Sequence, residues 1–78
     1  MDTSFHRFDE LFAQLGLPGD AASVTRFIAT HGPLPGDVRV EDAPFWSPAQ
    51  ARLLREELAG DADWAEVIDR LNLALRRA

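Results

Sequence analysis

The chain has 78 residues, with thirteen acidic side chains against eight basic ones and a formal net charge of −5. That length allows one domain, expected to span residues 1–78. A composition 46% hydrophobic and 27% charged excludes a disordered tail, a collagen-like chain and a low-complexity linker. Cysteine is absent, which removes a disulfide framework, a thiolate nucleophile and a thiolate metal site, so the fold must hold by packing.

All eight basic residues are arginine. An acidic chain of this size makes a poor duplex binder unless its arginines concentrate on one face, because affinity for nucleic acid depends on phosphate neutralisation. An anionic membrane surface would also repel it. The opening residues alternate apolar and charged groups without an apolar core or cleavage site, so no secretory signal is expected. No apolar run approaches the length of a transmembrane helix, and the expected address is the cytoplasm.

The pattern predicts a first helix over about Phe5 to Leu15. Phe5, Phe8, Leu11, Phe12 and Leu15 fall on one arc at 100° per residue. Thr3 or Ser4 suits its cap, and Gly16 suits a left-handed stop with Leu17 folding back before Pro18. A second helix is expected from Ala21 to His31. Asp20 is its N-cap, Ala21, Val24, Phe27, Ile28 and His31 form its apolar face, and Gly32-Pro33 ends it.

Pro33, Pro35, Gly36 and Pro44 argue against a helix between Gly32 and Trp46. Val38 and Val40 alternate with charged residues, but a lone strand would have no partner. A loop pinned by Leu34, Val38, Val40, Phe45 and Trp46 is expected instead.

Ser47-Pro48-Ala49-Gln50 is a capping box with proline at the first helical position. It opens a third helix to about Ala59, with Ala51, Leu54 and Leu58 on one stripe, Leu53 beside it and Gly60 as its stop. The fourth helix begins at Asp61 or Asp63, since Asp63-Trp64-Ala65-Glu66 again fits a capping box. Trp64, Val67, Ile68, Leu71, Ala74 and Leu75 form its stripe, and Arg70, Arg76 and Arg77 suit its negative end.

Each candidate site has a plainer explanation beside it. His6 and Glu10, one turn apart with Asp9 and Asp2 near, could ligate a divalent ion, but such groups are common on solvated helix faces. His31 lies within an apolar face. It could act as a base or pH sensor, or sit partly buried and satisfied by a backbone carbonyl. No nucleophile stands near it in the pattern. Glu56, Glu57, Asp61, Asp63 and Glu66 lack the spacing of a calcium loop, and helix capping and solubility account for them. Phe45 and Trp46 beside Pro44 could form a recognition surface or plug a small core. Leu73 falls outside the fourth helix's stripe, among Glu66, Asp69, Arg70 and Arg77, and could mark a dimer or partner contact. Arg52, Arg55, Arg70, Arg76 and Arg77 are expected to face outward. Glu56 and Glu57 break up the basic front that a helix-turn-helix reader needs. There is no phosphate loop, no HExxH and no nucleophile elbow, so no enzyme activity, metal or cofactor is expected.

Met1-Asp2-Thr3-Ser4-Phe5-His6, followed by Leu11-Phe12-Ala13-Gln14-Leu15-Gly16-Leu17-Pro18, resembles the opening of a family of short bacterial proteins, domain of unknown function 2789. Ala43-Pro44-Phe45-Trp46-Ser47-Pro48-Ala49-Gln50-Ala51 and Asp61-Ala62-Asp63-Trp64-Ala65-Glu66-Val67 fit the same family in order and spacing. The resemblance implies a small, orthogonally packed helical bundle and carries no activity or functional residues.

The expected fold is therefore all-α: a compact four-helix orthogonal bundle with one long proline-containing loop between the second and third helices. Its expected core is Phe8, Leu11, Phe12, Leu15, Val24, Phe27, Ile28, Leu54, Leu58, Trp64, Ile68, Leu71 and Leu75. The leading functional expectation is a protein–protein interaction or regulatory module, with an unknown protein partner or self-association through Leu73, Phe45 and Trp46. An atypical helix-turn-helix nucleic-acid binder is the alternative. A small enzyme or metal site using His6 or His31 is the third reading.

Overall fold

The structure, a computed structural model, describes residues 3–78, with side chains from residue 7 onward. The expected cap at Thr3 or Ser4, the place of Phe5 on the first arc, and the His6–Glu10 pair with Asp2 lie outside the described residues.

Four helices run in chain order: α1 (Thr3–Gln14), α2 (Ala21–His31), α3 (Pro48–Gly60) and α4 (Ala62–Arg77). No strand occurs among the described residues. The Cα radius of gyration is 11.5 Å, the value of about 11.5 Å that chain-length scaling gives for a folded domain of this size. No helix is long and apolar enough to cross a membrane.

The helix boundaries follow local chemistry. After α1 the chain makes a Schellman turn: Leu17 N–H donates to Phe12 O at 2.8 Å and Gly16 N–H to Ala13 O at 3.1 Å. Gly16 sits at φ +75°, a conformation that costs a residue with a Cβ. Asp20 caps α2 by accepting from Ser23 N–H at 3.1 Å. The full capping box opens α3, with Gln50 N–H donating to Ser47 Oγ at 3.1 Å and Ser47 N–H to Gln50 Oε1 at 2.9 Å.

The α3–α4 junction differs from the sequence reading. Gly60 is the last residue of α3 rather than its stop, and a single residue, Asp61, divides the two helices. Asp61 closes α3 with its N–H on Glu57 O at 3.1 Å. Its Oδ1 then accepts from Asp63 N–H at 2.9 Å and from Trp64 N–H at 3.3 Å. Asp63 is thereby inside α4, and the Asp63–Glu66 capping box is not used. One residue serving both helix ends leaves no room for a second cap.

Helix α4 packs against each of the other three helices, and its Ile68, Leu71 and Leu75 are fully enclosed. They meet Phe8, Leu11, Phe12 and Leu15 of α1 and its turn, Val24 of α2 and Leu54 of α3 in one buried cluster. Phe27, Ile28, Leu58 and Trp64, expected inside, are partly buried against that cluster, and Val67 is fully part of it.

The loop between α2 and α3 supplies the rest of the core: Leu34, Val40, Ala43 and Trp46 are buried. Val40–Asp42 forms one 3-10 turn rather than an extended piece. The loop is tied down at both ends. Leu34 N–H donates to Leu75 O at 3.1 Å, and the Trp46 indole N–H donates to Val40 O at 2.7 Å. Gly32 lies so close to the end of α4 that a Cβ there would overlap Ala78 Cβ and stand 2.8 Å from Leu75 O, and it would also stand 2.9 Å from Ile28 O of α2.

Candidate interaction surface

The outer face of α4 presents Glu66, Asp69, Arg70, Leu73 and Arg77 to solvent. These positions recur at helical spacing opposite the buried Ile68–Leu71–Leu75 stripe, so the helix is amphipathic except at Leu73. Leu73 keeps 47% of its surface exposed and is the exposed large hydrophobic residue among those described. The charges around it are segregated. Asp63, Glu66 and Asp69 lie toward the N-terminus of α4, and Arg70 and Arg77 toward its C-terminus. Both ends suit the helix dipole. Within this face Arg70 and Glu66 stand 4.0 Å apart, an exposed pair of small energetic weight.

The structure does not gather Leu73, Phe45 and Trp46 into one exposed surface. Trp46 is only 8% exposed, and its indole stacks on Phe27 with centroids 5.5 Å apart. An indole that finds both a ring and a carbonyl inside the molecule serves the core. Phe45 is half-buried. It packs edge-on to Phe27 at 5.7 Å and lies 4.9 Å from Trp46.

His31 joins this aromatic cluster. Its ring stacks on Phe45 at 4.5 Å and leans on Phe27 at 4.4 Å. These two rings, rather than the backbone carbonyl expected to satisfy it, are its neighbours among the described residues.

The arginines do not all face outward. Arg76 turns inward and spends its donors on the loop: Nη1 to Pro35 O at 2.9 Å, Nη2 to Val38 O at 2.8 Å, and Nε to Asn72 Oδ1 at 3.0 Å. Arg55 is exposed but pairs with Asp42 at 2.6 Å, tying α3 to the 3-10 turn. Arg7 lies 4.7 Å over the Trp64 ring and 3.5 Å from Glu10. Four of the eight arginines, Arg7, Arg55, Arg70 and Arg76, thus have local partners. Arg26, Arg39, Arg52 and Arg77 sit on α2, the loop, α3 and α4 respectively.

Gln50 also does more than its capping box required. Its Nε2 donates to Leu15 O at 2.9 Å, satisfying an end carbonyl of α1 from the start of α3. Neither this bond nor the Arg76 clamp has a signature in the sequence. Both end on backbone carbonyls 35 to 41 residues away, and any residue carries a carbonyl.

The fold also moves the titration of Asp20. The Ser23 hydroxyl and then the Ser23 backbone N–H hold its carboxyl below the ordinary range, with Arg26 a minor contributor.

The chain aligns along its whole length with the solution NMR structure of protein CV0237 from Chromobacterium violaceum. The two are 47% identical, with a TM-score of 0.83 over 100% of this chain and 98% of that one. None of the curated proteins matches the sequence. The model of the family described as protein of unknown function DUF2789 matches residues 1–75, and the chain therefore belongs to that family.

Proposed function

We propose that this protein is an interaction module whose docking surface is the outer face of α4 and whose partner is a second copy of the same chain. The observation that carries the reading is the exposure of Leu73 at the centre of a face whose charges are sorted by sign. A two-fold axis places the same patch on both partners. Two antiparallel α4 helices in one register then set Glu66 opposite Arg77 and Leu73 against the aliphatic stem of Arg70. The two Leu73 side chains fall about 4.5 Å apart along the axis at 1.5 Å per residue. Exposed ion pairs contribute under about 1 kcal/mol each, so the association is weak and reversible, suited to regulation by concentration.

Nucleic-acid binding has less support. Four arginines are engaged locally, and the other four are spread over four elements, whereas a groove reader needs one continuous basic face.

Sedimentation equilibrium from about 10 µM to about 1 mM, the range of weak association, tests the proposal. The wild-type mass should rise with concentration, Leu73→Asp should stay monomeric, and Glu66→Arg combined with Arg77→Glu should restore association that either change alone weakens. A wild-type protein that is monomeric throughout overturns the reading.

A further inference from the structure

A groove of about 250 Å³ opens between the α1–α2 turn and α2. Its floor is apolar, formed by Leu17 and Phe27 over the buried Phe12, and its α2 wall carries Arg26, Thr30 and His31. Residues 26, 27, 30 and 31 follow the spacing of a single helix face, so one turn after another adds to the same wall.

The floor is braced before anything binds. Phe12 meets Phe27 edge-on at 5.3 Å, and Trp46 stacks on Phe27 at 5.5 Å. His31 is held at the rim by its stack on Phe45 at 4.5 Å. A preformed pocket avoids the ordering cost that weakens binding to mobile surfaces.

The electrostatics of the groove run against those of the molecule. The chain carries a net charge of −5, yet the groove lining contains no carboxylate. Asp20, the acid near Arg26, is committed to capping α2 through Ser23. Among the described residues, neither the Arg26 guanidinium nor the His31 ring has a hydrogen-bond partner. The groove therefore offers an aromatic floor, a fixed positive charge and unused N–H donors side by side.

The groove is open on one side, so its volume sets the size of the ligand part that it covers. An apolar cavity of about 150 Å³ holds one benzene, and pockets for larger ligands begin at about 300 Å³. One ring with a short acidic arm fits between those values.

We propose that this groove binds a small aryl-alkyl carboxylate. The ring lies on Phe27 and Leu17, and the carboxylate accepts from the Arg26 guanidinium, in the bidentate geometry that arginine favours, with His31 and Thr30 supplying further donors. This site is separate from the α4 face and does not depend on self-association.

The test is a ¹H–¹⁵N NMR titration of the full chain with phenylacetate, with phenylacetamide as the neutral control. Phenylacetate should give saturable shifts centred on Arg26, Phe27 and His31. Affinity should fall at least about tenfold, the scale of one lost charge-assisted contact, for phenylacetamide and for Arg26→Ala. Thr30→Trp, at an exposed position, should fill the groove and abolish the shifts while leaving the rest of the spectrum in place. Two results overturn the proposal: no saturable shift in the groove up to about 10 mM phenylacetate, or equal binding of acid and amide with Arg26→Ala unchanged.

Discussion

The Arg76 guanidinium donates to the Val38 carbonyl at 2.8 Å across 38 residues of chain, fastening the proline-containing loop to the last turns of α4. A second bond to Pro35 O and a third to Asn72 hold the guanidinium plane in place. The side chain is part-buried, so these bonds are partly shielded from water. Without them the loop that delivers Leu34, Val40 and Trp46 to the core would keep its two end bonds and the exposed Arg55–Asp42 pair.

Arg76→Ala is accordingly expected to destabilise the fold by about 1–2 kcal/mol, allowing for the solvent exposure of the Pro35 bond. Arg76→Lys should recover less than half of that, since a point charge cannot span three acceptors. Urea unfolding measures both. A variant within about 0.5 kcal/mol of wild type would show the clamp to be ornamental.

Trp46→Phe keeps a ring on Phe27 but removes the donor to Val40 O. That carbonyl retains the Ala43 N–H at 3.2 Å, so it is not fully orphaned. A loss of about 1 kcal/mol is expected in chemical denaturation, with the helical circular dichroism of the native state unchanged.

Gly16 and Gly32 separate two uses of glycine. At Gly16 a Cβ would meet nothing within 4 Å, but φ is +75°, so Gly16→Ala should cost only the left-handed strain of about 1 kcal/mol. At Gly32, where φ is −82°, the backbone is unstrained but Leu75 O and Ile28 O block a Cβ. Gly32→Ala should therefore be the more damaging of the two, because relief requires moving α4 away from the loop. Comparing their melting temperatures decides the order.

Asp20 provides the pH test. Its folded pKa is lowered from 3.8, so the unfolded chain takes up the proton first as pH falls. The stability from this cap is present above the unfolded pKa and is lost as pH drops through the folded one. An NMR carboxyl titration should place Asp20 below 3.8, and Ser23→Ala, by removing the largest cause, should move it back toward that value.

What the sequence determined by itself was local. Helix periodicity, the Gly16 stop, the Asp20 cap and the Ser47–Gln50 box each depend on residues within about one turn of one another, so their geometry is fixed by chain connectivity. Leu73's exposure was legible for the same reason, since one helix's own angular pattern sets it outside the stripe. The tertiary structure decided whatever depends on elements distant in the chain. Phe45 and Trp46 had two readings until the rings of α2 came to meet them. Asp61, the one residue between α3 and α4, serves as the cap in place of Asp63. Arg76 was drawn inward and Gln50 was given a second partner by backbone carbonyls that no sequence pattern distinguishes. The groove beside Arg26 exists because Leu17 of the α1–α2 turn and Phe12 of α1 come to lie beside Phe27 of α2, a juxtaposition that no single helix's pattern contains.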